Sequence, residues 1–188
     1  MMLMAVLLAA AAPAADTVPE REMLDAFRAA CHRVDDLDAM RADALAGQWE
    51  EIPESADARI ERLTRLGREA VGDEGTGTAT VYRRAVEGRP VFLIVSRFED
   101  EDGVWGNGCR LYHFEAQAPI DPAALERWMG RPSTGVQELP GTGIKRLWEP
   151  GWRDGVTVEV NHVPAASPLR ERFGLSGNIL VAQAMGGF

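Results

Sequence analysis

Apolar residues recur every three or four positions between residues 17 and 34, which is the spacing of one face of a helix. Thr17 and Glu20 form a capping-box pattern at the start of this segment. A second helix is predicted after Asp35-Asp36, which can cap it, and should end at Gly47; a third is predicted to begin at Ser55. The apolar face of the first helix is predicted to consist of Met23, Leu24, Phe27, Ala30, Cys31 and Val34.

The period of the apolar residues shortens to two in the second half of the chain, which indicates strands. Residues 78–87 and 91–99 flank Gly88-Arg89-Pro90 and predict a hairpin. Residues 91–95 are apolar at every position, so this strand should be covered on both faces, one of them by the helices. Further strands are predicted at 109–116, 144–149, 156–163 and 178–185, and Asp121-Pro122 should open a short helix. The glycine-rich stretches 72–78 and 130–143 are predicted to be a connector and a loop.

These elements predict an α+β fold in which amino-terminal helices pack on a mainly antiparallel sheet of about six strands. No linker or change of composition interrupts residues 16–188, which are therefore predicted to form a single domain. The chain has 188 residues, of which 46% are apolar and only two are cysteines. This composition excludes a disordered chain and a small disulfide scaffold. The net charge of −9 would repel phosphate backbones and anionic lipids, so neither nucleic acid nor a membrane surface is a predicted partner.

Residues 1–15 contain no charged side chain and run from an apolar stretch into small residues around Pro13. This pattern predicts a signal peptide that is cleaved near Ala14 or Ala15, and hence a periplasmic or secreted protein. The alternatives are a transmembrane anchor and a buried helix. An anchor is disfavoured because about 20 apolar residues are needed to span a bilayer.

Export would place the two cysteines, Cys31 and Cys109, in an oxidising compartment, where they are predicted to form a disulfide. Such a bond would close a loop of almost eighty residues and stabilise the fold by about 4 kcal/mol in the chain-entropy model. The alternative is a pair of separate buried thiols.

Two histidines are the weak candidates for catalysis. His113 lies at the end of one predicted strand face and His162 at the end of another, so the two could face each other. With Glu115 or Glu159 nearby they could act as a general acid and base. The alternative, favoured because no nucleophile motif is present, is that each histidine satisfies a buried hydrogen bond. The histidines have no metal-type spacing, and neither a metal nor a cofactor is predicted.

The segment from 146 to 155 places two tryptophans on either side of a Pro-Gly turn. Aromatic and arginine side chains on loops are common at recognition sites, so Arg146, Trp148, Trp152 and Arg153 are the predicted binding residues. The alternative is that the tryptophans fold back to cover the sheet.

Three short patterns, Phe27-x-x-x-Cys31, Gly47-x-Trp49 and Cys109-Arg-Leu-Tyr112, resemble those of small bacterial secreted proteins. The resemblance implies a periplasmic helix-plus-sheet domain with an internal disulfide, and it implies no activity.

The leading hypothesis is a non-enzymatic periplasmic binding domain whose partner is a protein or a small ligand, for example an inhibitor or a toxin-immunity protein. The second hypothesis is a periplasmic hydrolase that uses His113 and His162. The third is a structural, envelope-associated domain, which should carry a self-complementary apolar patch.

Overall fold

The computed structural model describes residues 20–72, 75–86 and 88–188. The predicted signal peptide lies outside these residues. The α-helices are α1 (Glu20–Cys31), α2 (Leu37–Ala46), α3 (Ala58–Val71), α4 (Pro122–Met129) and α5 (Pro168–Phe173), and a 3₁₀ turn spans Glu54–Ala56. The strands are β1 (Glu50–Ile52), β2 (Gly75–Val86), β3 (Arg89–Asp100), β4 (Trp105–His113), β5 (Gly135–Leu139), β6 (Gly143–Trp148), β7 (Val156–Val163) and β8 (Gly177–Gly186).

The strands form one sheet in the order β1-β2-β3-β4-β8-β7-β6-β5, and every neighbouring pair is antiparallel. The predicted α+β class and antiparallel sheet are confirmed. The predicted number of about six strands is too low, because β1 and β5 were missed. β5 occupies part of the stretch that was predicted to be a loop, and its side chains are almost all exposed, so it lacks the apolar alternation that marks a half-buried strand.

Helix caps explain where the helices begin. Asp36 accepts a hydrogen bond from the backbone N–H of Ala39 and caps α2, as predicted. The third helix begins later than predicted, because Asp57 caps α3 by accepting from two backbone N–H groups at its start. Asp121 caps α4 and Pro122 occupies its first turn, as predicted.

The sheet has two faces, which we name after the helices that cover them. The α1 face carries the largest core, in which Phe27 of α1 and Leu111 of β4 are fully buried. The α3 face carries a second core around Ile60 of α3 and Phe92 of β3. Residues 91–95 are buried at every position, which confirms that β3 is covered on both faces.

The predicted disulfide between Cys31 and Cys109 is confirmed, with a Cα–Cα distance of 5.6 Å. Both residues are fully buried, and the bond ties the end of α1 to the middle of β4. Cys31 belongs to the same buried stripe of α1 as Leu24 and Phe27, as predicted.

Candidate functional site

A cleft of about 430 Å³ lies on the α3 face of the sheet. α3 packs over β2 through Val71, which contacts Gly77, and the floor of the cleft is formed by the neighbouring strands β3, β4 and β8. The volume is in the range of about 300 to 1,000 Å³ that small-molecule sites occupy. Its apolar lining residues are Leu63, Val71, Ala79, Ile94, Phe98, Tyr112, Ala184 and Met185.

The cleft exists because glycines replace side chains on adjacent strands. Gly77 pairs with Phe98, which in turn pairs with Gly106, and Gly108 lies two residues further along β4. Antiparallel partners project from the same face of a sheet, so these glycines all lie on the face that α3 covers. At Gly106 the nearest heavy atom to an added Cβ would be 3.9 Å away, on Met185, so this part of the floor is open.

One cation lies on the floor of this cleft. The guanidinium of Arg110 is positioned over Gly108, where an added Cβ would come within 2.3 Å of Nη1 and 2.9 Å of Cζ. Nη1 donates a hydrogen bond to the hydroxyl of Ser96 at 3.0 Å. Gly108 is therefore required for Arg110 to adopt this position.

Two arginines, Arg68 and Arg110, bring their side chains to this face of the sheet, and Arg68 is neutralised within the protein. Arg68 donates to both carboxylate oxygens of Glu54 at 2.7 and 2.8 Å. Arg97 also borders the cleft, but its side chain projects from the opposite face of β3, where it forms an ion pair with Glu99 at 2.8 Å. Among the described residues, Arg110 has no carboxylate partner.

Tyr112 lies beside this cation at the inner end of the cleft. Burial raises the pKa of its phenol, and Arg110 opposes that shift only in part. The phenol therefore stays neutral at ordinary pH, and Arg110 supplies the local charge.

The predicted binding turn lies on the opposite side of the sheet and packs against the protein. Trp148 is fully buried in the core of the α1 face, and its Nε1 donates to the carbonyl of Arg131 at 3.2 Å. Trp152 packs on Phe27 and on Trp128, with ring centroids 5.7 and 6.1 Å apart. The tryptophans therefore fold back onto the sheet and α1, which is the alternative that the sequence left open.

The arginines near this turn differ in their contacts. Arg153 donates to the carbonyl of His32 and forms an ion pair with Asp35, which ties the turn to the end of α1. Arg146 lies on β6 opposite Val160 and is half-buried. A more open depression of about 600 Å³ beside the turn includes Trp152 and Arg153 in its lining.

The candidate catalytic histidines lie in one row across three strands. His113 and His162 both pair with Asn178, from β4 and β7 respectively, so Asn178 on β8 separates them. Strands are spaced by about 4.8 Å, which places the two histidines about 10 Å apart. Nδ1 of His162 donates to Oδ1 of Asn178 at 2.9 Å, and the Asn178 amide donates to the Ala118 carbonyl at 3.2 Å.

His113 has a different environment from His162. Its Nε2 is buried without a hydrogen-bond partner in the described structure. Burial lowers its pKa, with a smaller contribution from Arg89, while Glu115 opposes the shift. His113 is therefore held in its neutral form.

The two candidate carboxylates do not complete a catalytic group with these histidines. Glu115 follows the end of β4 and is exposed. Glu159 points to the opposite face of β7 from His162, where it forms an ion pair with Lys145 at 2.7 Å. Neither histidine lines the cleft under α3.

Sequence reasoning missed the cleft and Arg110. The available signal was the alternation Gly106-x-Gly108-x-Arg110, which places two glycines and an arginine on one face of one strand. The stretch around Gly77 was predicted to be a connector, and that prediction is wrong for residues 75–77, which belong to β2 together with the predicted strand residues from Thr78 onward.

No protein-family model matches the chain, and no curated protein or solved structure shows significant similarity to it. Within the described residues, no helix has both the length and the apolar character needed to cross a membrane. In the same part of the chain, no three histidine, cysteine or acidic side chains are grouped so as to hold a metal ion. The internal disulfide is compatible with an extracellular compartment.

Proposed function

We propose that this protein is a non-enzymatic binding domain that holds a small, largely apolar ligand in the cleft under α3. The observation that carries this proposal is the glycine floor beneath apolar walls. Gly106 leaves an open space on the floor, between Val71, which lies over Gly77, and the guanidinium of Arg110, which lies over Gly108. A ligand that covered the hollow would remove apolar surface from water, which is favourable by about 25 cal/mol for each Å² buried.

The proposal includes export to the periplasm or the exterior. Its supports are the apolar amino-terminal sequence, which is typical of a signal peptide, and the disulfide between Cys31 and Cys109. The resemblance to small bacterial secreted proteins agrees with this compartment.

A small ligand is favoured over an inhibitor or immunity partner that docks on the Trp148–Arg153 turn. Trp148 has no exposed surface with which to contact a partner, and Arg153 is engaged by Asp35. Arg131, in the same depression, donates to the Gly151 carbonyl. Arg131 and Arg153 of this depression are hydrogen-bonded or ion-paired within the protein. Arg110 in the cleft makes one hydrogen bond with the described residues and has further N–H donors that a ligand could use.

The hydrolase hypothesis lacks comparable support. General acid-base catalysis requires groups within hydrogen-bond reach of one reacting site. His113 and His162 are separated by Asn178, and both are buried at the edge of the core.

Titration with the neutral dye Nile red tests the proposed function. We expect saturable binding of one dye molecule per protein, with blue-shifted emission. Gly106→Leu should weaken binding at least tenfold, because its side chain would extend into the open floor. Arg65→Ala is the matched control, since Arg65 pairs with Glu69 on the exposed side of the same helix.

Unsaturable dye binding, or equal affinity of the Gly106→Leu variant and the wild type, would contradict the proposal. The unfolding midpoint of each variant shows whether a loss of binding reflects a filled cleft or a lost fold.

A further inference from the structure

Arg110 provides a binding group that the fold itself does not use. A guanidinium has five N–H donors, and the one hydrogen bond that Arg110 makes with the described residues is to the neutral Ser96 hydroxyl. Ser96 in turn donates to the Gly108 carbonyl at 3.4 Å, which fixes the hydroxyl in place. Ser96 thus positions the guanidinium and leaves its charge unbalanced.

Arg110 differs from the other described arginines that lack a carboxylate partner in what its guanidinium contacts. Arg62, Arg131 and Arg170 each donate to a backbone carbonyl, whereas Arg110 donates to a hydroxyl on the floor of the cleft. Arg68, whose side chain lies on the same face of the sheet, is paired with Glu54. A charge in a partly apolar site is costly unless it is paired. Arg110 lies where a ligand, rather than a side chain, would supply the counter-charge.

The cleft is polar at one end and apolar along its length. The guanidinium of Arg110 lies over Gly108, which is two residues from Gly106 on β4, a separation of about 7 Å at about 3.3 Å per residue. Beyond Gly106 the cleft is bounded by Val71, Phe98 and the exposed Met185. A ligand with its head group at Arg110 would therefore extend its apolar part toward Met185.

We propose that the ligand of this cleft is an amphipathic monoanion, with a carboxylate head group bound by Arg110 and an alkyl chain lying over Gly106 toward Met185. This inference rests on the proposed function and specifies its ligand class. A carboxylate fits because it accepts two parallel N–H bonds from one guanidinium, and one cation neutralises one negative charge.

The experiment compares decanoate with decan-1-ol, which share an alkyl chain and differ in the charge of the head group. Each is titrated as a competitor of Nile red against the protein that comprises residues 16–188. We expect decanoate to bind at least tenfold more tightly than decanol to the wild type. In Arg110→Met this preference should fall below about threefold, because the affinity for decanoate falls more than the affinity for decanol.

Arg65→Met is the matched control, because Arg65 is an arginine of α3 that pairs with Glu69 and does not line the cleft. It should retain the preference for decanoate. Equal wild-type affinities for decanoate and decanol would overturn the head-group inference and leave the proposed function standing. A preference for decanoate that persists in Arg110→Met would overturn the role of Arg110. If neither the dye nor either competitor binds, the proposed function itself is overturned.

Discussion

Gly108 lies directly under the guanidinium of Arg110, and an added methyl group there would come within 2.3 Å of Nη1. The two residues are on the same face of β4, so the arginine folds back over the glycine along its own strand. This relationship connects the sequence to the proposed function, because the glycine sets the position of the cation on the floor of the cleft.

The first prediction concerns Gly108→Ala. The new methyl group should displace the guanidinium and reduce the preference for decanoate over decanol at least threefold. The free energy of unfolding should change by less than about 1 kcal/mol, because the side chain that has to move is long and flexible. Competition with Nile red measures the preference, and urea unfolding measures stability.

Gly106→Ala is the control for this substitution. Its methyl group would be 3.9 Å from Met185 and would not contact Arg110. It should retain the preference for decanoate. An equal loss of preference in both alanine variants would mean that the position of Arg110 is not the cause.

The second prediction concerns the disulfide. Cys31 and Cys109 are separated by 78 residues, and the chain-entropy model gives about 4 kcal/mol for a loop of this length. The Cys31→Ala/Cys109→Ala double variant should lose stability of this order in urea unfolding. Added reductant should shift the unfolding midpoint of the wild type but not that of the variant. Equal midpoints for wild type and variant under oxidising conditions would contradict a stabilising role for this bond.

The third prediction concerns pH and His113. Burial lowers the pKa of His113 in the folded state below its ordinary value of 6.5, so the unfolded chain binds a proton first as the pH falls. Stability from this residue is therefore fully present above about pH 6.5 and is lost progressively below it. The free energy of unfolding, measured between pH 7.5 and pH 5, should fall more steeply in the wild type than in His113→Leu.

His32→Gln is the control for this measurement, since it removes a histidine from an exposed position after α1. A His113→Leu variant with the same slope as the wild type would show that His113 is not the group responsible.

The fourth prediction separates structural from binding roles in the tryptophan turn. Trp148→Ala should destabilise the protein by about 3 to 5 kcal/mol, because it opens a cavity in the core and leaves the Arg131 carbonyl without its donor. Leu139→Ala, on the exposed side of β5, should change stability by less than about 0.5 kcal/mol. A Trp148→Ala cost below 1 kcal/mol in urea unfolding would contradict the core position of this side chain.

Much of the fold follows from local sequence signals. The apolar stripe of α1, the cap at Asp36, the Asp121-Pro122 pair and the apolar run of β3 each predicted an element that the structure contains. β5 was missed because it lies at the sheet edge with exposed side chains. β1 was missed because three residues are too few to show an alternation.

The candidate site was less predictable, because its parts come from distant segments. Arg110 is an ordinary strand arginine in the sequence, and its importance depends on Ser96 of β3, which accepts its hydrogen bond, and on the α3 residues that line the same cleft. Conversely, the two tryptophans stood out in the sequence because they are large and close to a turn. The packing of Trp152 on Phe27 depends on a tertiary contact that spacing alone does not show.

The central claim is that the ligand occupies the cleft under α3, and chemical-shift mapping with decanoate tests it most directly. Amide signals of Gly77, Gly106 and Gly108 should shift on titration with one common dissociation constant. Those of Gly135 and Gly151, which lie outside the cleft, should remain in place. Shifts confined to Gly151 and the Trp152 indole, or no shifts in the glycines of the floor, would contradict the account.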